Sequence, residues 1–139
     1  MKLYYKTWVD CILKARAQAQ NKKDWKVYTM IFMSMTMALN LVLILFILHD
    51  LRIVKGIFKI PIDIFPGTRI DAFFSFFFSY FLPFLLLNYF LIFHKDRYQI
   101  LIKKYPYQNG KLFIKYFLGS LCIFLGYILI AVLIAKYYN

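Results

Sequence analysis

Polar side chains inside apolar helices are the default place to look for chemistry in a membrane-type chain, and this sequence holds few of them. Thr29, Thr36 and Asn40 fall on one helical face, at spacings of seven and four residues. Ser75, Ser79 and Asn88 mark a second apolar run, and Ser120 and Cys122 a third. Such groups can line a pore or ligand cavity in an oligomer, or they can hydrogen-bond between helices and fix helix rotation. The sequence favours the second role. Asn40 lies about 18 Å and Ser79 about 21 Å from the cytoplasmic side of their runs, while Asn88 and Ser120 lie roughly 8–10 Å in. Two interhelical polar layers are therefore predicted, Asn40 with Ser79 and Asn88 with Ser120.

Other residues that could carry chemistry do not converge. The spacing of two Cys and two His gives no metal-ligand set. His49 and His94 sit at opposite edges of the membrane, where the side chain is an ordinary amphipathic anchor. Met30, Met33, Met35 and Met37 spread around one helix, which favours flexible packing over soft-metal transport. No Ser/His/Asp set falls at one depth, no Gly-rich phosphate loop is present, and all six acids read as loop or helix-end Asp. Asp63, Arg69 and Asp71 read as an ion pair with a helix cap. The chain is expected to be non-enzymatic, with no cofactor and no metal.

The elements that position these residues follow from composition. Of 139 residues 63% are hydrophobic, 22% aromatic and 17% charged, and mean hydropathy is +0.62. Soluble domains are about 45–50% apolar and about a quarter charged. The chain therefore reads as an all-α integral membrane protein. Three runs reach the length of roughly 20 mostly apolar residues that a bilayer requires: 28–48, 72–93 and 112–135. They must be helices, because lipid leaves no partner for an open strand's backbone. Residues 49–71 form the loop between the first two spans, and 94–111 the loop between the last two.

Lys and Arg set the orientation. Seven lie before the first span and six at the second loop and its edge, so thirteen share one side against five on the other. The expected arrangement is a multi-pass inner (plasma) membrane protein with a cytoplasmic N-terminus and an external C-terminus. No cleavable signal peptide is read at its start.

Residues 1–24 read as an amphipathic helix. Tyr4, Tyr5, Trp8, Val9, Ile12, Ala15 and Ala19 form one arc, with Lys6, Asp10 and Lys14 on the other. It is expected to lie in the membrane interface or against a neighbouring subunit. Asp24 is a candidate cap for the first span. Thr68 and Asp71 have capping-box spacing ahead of the second. Ile60, Ile62 and Ile64 alternate with Pro61 and Asp63, predicting an extended piece with one greasy edge. After Phe93 the spacing of Tyr98, Leu101, Ile102 and Tyr105 predicts that span two continues into the cytoplasm, with Pro106 and Asn109-Gly110 as its stop. A continuous helix from Arg69 to Lys104 would be roughly 54 Å long, kinked at Pro83.

Gly119, Gly126, Ala131 and Ala135 are the candidate helix-packing residues of span three. Lys22, Lys23, Arg97, Lys103 and Lys104 are the candidate contacts to anionic headgroups or another anionic ligand, and a nucleic acid is disfavoured. The composition resembles that of small bacterial membrane proteins in general. The expected function is that of an oligomeric or accessory subunit of a membrane complex, joined to copies of itself or to another membrane protein. The alternative is a homo-oligomeric ion channel or membrane-perturbing effector, lined by Thr29, Thr36 and Asn40 and gated by an anionic cytoplasmic ligand. An accessory role in lipid-linked glycan handling ranks third, resting only on the basic interface.

Overall fold

The structure, a computed structural model, describes residues 2–18, 24–64 and 69–138. Among these, every regular element is helical. The helices are α1 (Lys2–Gln18), α2 (Trp25–Asp50), α3 (Arg69–Phe76), α4 (Leu82–Asn88), α5 (Arg97–Lys104) and α6 (Lys111–Tyr138). Three stretches are long and apolar enough to cross a membrane: Trp25–Asp50, Arg69–Lys104 and Lys111–Tyr137.

The second stretch is not one rod. Two π-helical turns, Phe77–Phe81 and Tyr89–Phe93, interrupt it. In each, an N–H reaches five residues back, from Leu82 to Phe77 and from His94 to Tyr89. A π turn inserts an extra residue into the helical ladder. Tyr80 and Phe81, adjacent in sequence, can thus both face the core. The first π turn lies just ahead of Pro83, whose missing N–H falls in a ladder already rearranged.

Beyond Phe93 the predicted continuous helix fails. His94 has ψ 128°, and Lys95 and Asp96 take φ of 53° and 52°, left-handed values that cost a non-glycine residue roughly 1–2 kcal/mol. The chain turns there, and α5 folds back so that Tyr98 packs on Trp25 and Phe93, at ring separations of 5.4 and 5.8 Å. Periodicity persisted across the break because both pieces are amphipathic helices; it carried no signal that their axes differ.

α1 also departs from expectation. Six consecutive residues, Thr7 to Ile12, are buried. Its middle is therefore covered on every side, by α2, α5 and α6 of its own chain. Asp10, assigned above to the polar arc, lies fully inside. Trp8, Cys11 and Ile12 join Trp25, Met33, Ile92 and Tyr98 in one core cluster. A second cluster, Ala38, Val42, Tyr80 and Phe81, lies farther along α2.

Between α2 and α3, residues 57–63 form an extended segment that runs alongside the second stretch. Ile60 N–H donates to Ser79 Oγ at 2.8 Å, Ile64 N–H to Asp71 Oδ1 at 3.2 Å, and the Tyr80 hydroxyl to the Phe58 carbonyl. The partner number falls as the segment's number rises, so the segment runs antiparallel to the helix. The lengths agree: four extended residues span about 13 Å, and eight helical residues about 12 Å.

Candidate functional site

The most tightly built polar site joins α1 to the start of α6. Asp10 Oδ1 accepts the N–H groups of Gln108 and Gly110, both at 2.9 Å. Its Oδ2 accepts those of Leu112 at 2.9 Å and Phe113 at 3.2 Å. The first N–H groups of a helix have no partner within it, and an N-cap side chain ordinarily serves them. Here the cap position is Gly110, whose carbonyl accepts the N–H of Ile114 at 2.9 Å. Gly110 has no side chain to offer, and none would fit: its φ is +77°, and an added Cβ would lie 2.8 Å from Lys14 Cδ. Asp10 therefore caps α6 from another helix, with its charge at the positive end of the macrodipole.

Next to this junction lies the Asn88 layer. Asn88 is fully buried; its Nδ2 donates to Ser34 Oγ at 2.9 Å and toward Met37 Sδ at 3.5 Å, and its Oδ1 accepts from the Tyr4 hydroxyl at 2.7 Å. One amide thus ties α1, α2 and α4 together. Burial pushes the Tyr4 phenol up to about 12. The Cys11 thiol is also pushed up to about 12, by burial first and then by the charge of Asp10.

Asn40 forms the second layer, its Nδ2 within 3.0 Å of Ser120 Oγ and 3.2 Å of the Tyr116 hydroxyl. The predicted partners are thus exchanged: Asn40 meets Ser120 rather than Ser79, Asn88 meets Ser34 rather than Ser120, and Ser79 serves the extended segment. The error lay in assuming that all spans start at one height. Asn40 is fifteen residues into α2 and Ser120 nine into α6, so α6 begins about 9 Å deeper. It can do so because Asp10 satisfies its N-terminus there.

The remaining polar residues of α2 are committed locally. The Thr29 hydroxyl donates to the carbonyls of Trp25 at 2.9 Å and Lys26 at 3.0 Å, and that of Thr36 to Phe32 at 2.7 Å. Both side chains are buried within the chain. The predicted Asp24 cap is not made, since its side chain bonds nothing at the start of α2. Thr68, the other half of the predicted capping box, lies outside the described residues, as do Lys22 and Lys23.

At the far end of α2 the Tyr127 hydroxyl donates to Asp50, which His49 Nδ1 approaches at 3.5 Å. An open cavity of about 420 Å³ lies there, lined by His49, Asp50, Arg52, Val54 and Lys55. Another, of about 360 Å³, separates the extended segment from α3 and is lined by residues including Lys59, Asp63, Asp71 and Ser75.

The small residues of α6 fall on two faces. Tyr116, Ser120, Phe124 and Tyr127 make the stripe that meets α2. Ala131 and Ala135 continue that stripe beyond the end of α2 and are exposed. Gly119 and Gly126 lie about 100° around the helix, with open space where a Cβ would stand.

Of the predicted basic contacts, Arg97 reaches the Phe90 carbonyl at 3.5 Å, and Lys103 and Lys104 are exposed on the last turn of α5. Two cations not singled out by sequence share one aromatic platform. The Arg16 guanidinium lies 4.1 Å from the Trp25 ring and 5.3 Å from Tyr98, and Lys26 Nζ lies 5.8 and 5.1 Å from the same rings. Interfacial Trp and Tyr are a sequence signal; their edge-to-face contact between α2 and α5 is not.

Comparison with protein-family models, curated proteins and solved structures finds no match to this chain.

Proposed function

We propose that this chain is a non-enzymatic membrane subunit that assembles through α6 with copies of itself or with another membrane protein. In this reading its N-terminus is cytoplasmic and its C-terminus external. One observation carries the proposal: the stripe by which α6 packs on α2 continues past the end of α2. Tyr127 meets Asp50 at the last residue of α2. The ten residues that follow, 128–137, are exposed throughout. Helix pairs in lipid associate through small residues that let backbones approach, and the continued stripe presents Ala131 and Ala135. Gly119 and Gly126 add a second flank with room for a neighbour.

Replacing Ala131 and Ala135 together by Leu tests this. The reading expects the complex captured by in-membrane crosslinking to fall at least severalfold while the chain stays folded. An unchanged crosslinked yield would contradict it. The channel alternative has no specific observation in its favour, because the hydroxyls of Thr29 and Thr36 bond within their own helix and Asn40 bonds to α6.

A further inference from the structure

We propose that Arg16 and Lys26 form a phosphate seat, occupied by the headgroup of an anionic lipid, where α1, α2 and α5 meet. Both cations lie over Trp25, at 4.1 and 5.8 Å. The two charges are therefore no more than about 10 Å apart, about one Debye length at 0.1 M salt. The platform is rigid: Trp25 and Tyr98 are nearly fully buried, 5.4 Å apart, and both pack on Phe93. An aromatic face attracts a cation but does not neutralise it.

Nor does a carboxylate. Among the described residues no carboxylate stands within ion-pair distance of Arg16 or Lys26, and the His49–Asp50 pair lies at the other end of α2. Of the acids nearer this end, Asp10 is engaged by four N–H groups. Asp24 makes no cap at the α2 N-terminus, and Asp96 lies in the backbone break. Two like charges thus share one aromatic platform with no carboxylate paired to either among the described residues, an arrangement that an anion bound by both stabilises.

Position selects the anion. Lys26 precedes the uncharged run of α2 by two residues, about 3 Å, and so stands where lipid phosphates lie. The planar guanidinium suits a phosphate's paired oxygens. The inference rests on the cytoplasmic contact with anionic lipid expected from the charge distribution, and it moves that contact from Lys103 and Lys104 to this pair.

The test uses the full chain in mild detergent, where neither orientation nor assembly through α6 enters. Binding of phosphatidylglycerol, phosphatidylcholine and inorganic phosphate is measured separately, by native mass spectrometry and thermal shift. Phosphatidylglycerol should bind and phosphatidylcholine should not. Arg16→Gln with Lys26→Gln should weaken phosphatidylglycerol binding roughly 30-fold, whereas Lys103→Gln with Lys104→Gln should cost less than about threefold. If the double variant does not fold, Lys26→Gln alone should cost about fivefold, and Arg16→Lys should retain binding. Inorganic phosphate binding as tightly as the lipid would overturn the lipid assignment in favour of a soluble phosphate. A double variant, or Lys26→Gln where it stands in for it, that binds phosphatidylglycerol like the parent would overturn the seat itself.

Discussion

Asp10 is a buried charge that the fold uses rather than tolerates. A buried carboxylate is costly unless its oxygens are hydrogen-bonded, and here both are, each by two backbone N–H groups. Replacing it by Asn would turn an amide donor toward two of those N–H groups. Asp10→Asn is expected to cost about 3 kcal/mol, read as a lowered unfolding midpoint in detergent. Asp24→Asn should stay within about 0.5 kcal/mol, because Asp24 caps nothing; equal effects would contradict the capping role. The Cys11 thiol supplies a pH test. Its proton is held to about 12 in the folded chain against an ordinary 9.0. The folded state thus keeps a proton that the unfolded state loses. The stability from this group is complete below pH 9.0 and declines as pH rises toward 12. In a Cys122→Ser background, needed because Cys122 is exposed, Cys11 should resist maleimide at pH 8 until the protein is unfolded; rapid labelling of Cys11 in the native chain would contradict its burial. Little of this was legible in advance. Asn109-Gly110 announced a turn, but nothing in the sequence pairs position 10 with position 110, because a cap made from another helix leaves no local spacing.

At the scale of elements, the three apolar stretches and the interruption around Pro106 to Gly110 were legible, since hydrophobic length and turn residues are local signals. The break at His94 to Asp96 was not, because it contains neither Gly nor Pro to mark its left-handed φ values. The polar layers were legible as residues and misread as pairs. Asn40, Asn88 and Ser120 do bond between helices, but the depth at which α6 begins depends on Asp10, which sequence arithmetic could not include. The observed pairing ranks two substitutions. Asn88→Leu removes three contacts of a fully buried amide and strands Tyr4 and Ser34; it should cost about 1–2 kcal/mol. Asn40→Leu removes two contacts of a part-buried amide and should cost less than about 1 kcal/mol. Denaturant titration of both variants checks the order, and a larger loss at Asn40 would contradict the layer assignment.

For the whole molecule, the two ends differ in kind. At one end α1, α2, α5 and the start of α6 enclose a core that contains Trp8, Ile92 and Asp10. At the other, α6 runs on alone past Asp50, and the extended segment leaves Phe58 and Ile64 exposed at 72% and 63%. The charge distribution would set the enclosed, basic end against the cytoplasmic leaflet and the open end outside. Among the described residues the buried polar side chains are hydrogen-bonded internally except the Trp8 indole N–H, and α6 lacks an internal neighbour over its final turns; such a chain is suited to association. The most direct test is the mass of the purified protein in nanodiscs, with co-purifying proteins identified in the same sample. The account predicts a defined species heavier than one chain, either a fixed number of copies or a stoichiometric complex with another membrane protein. A stable monomer of 16.8 kDa without a bound protein would contradict it.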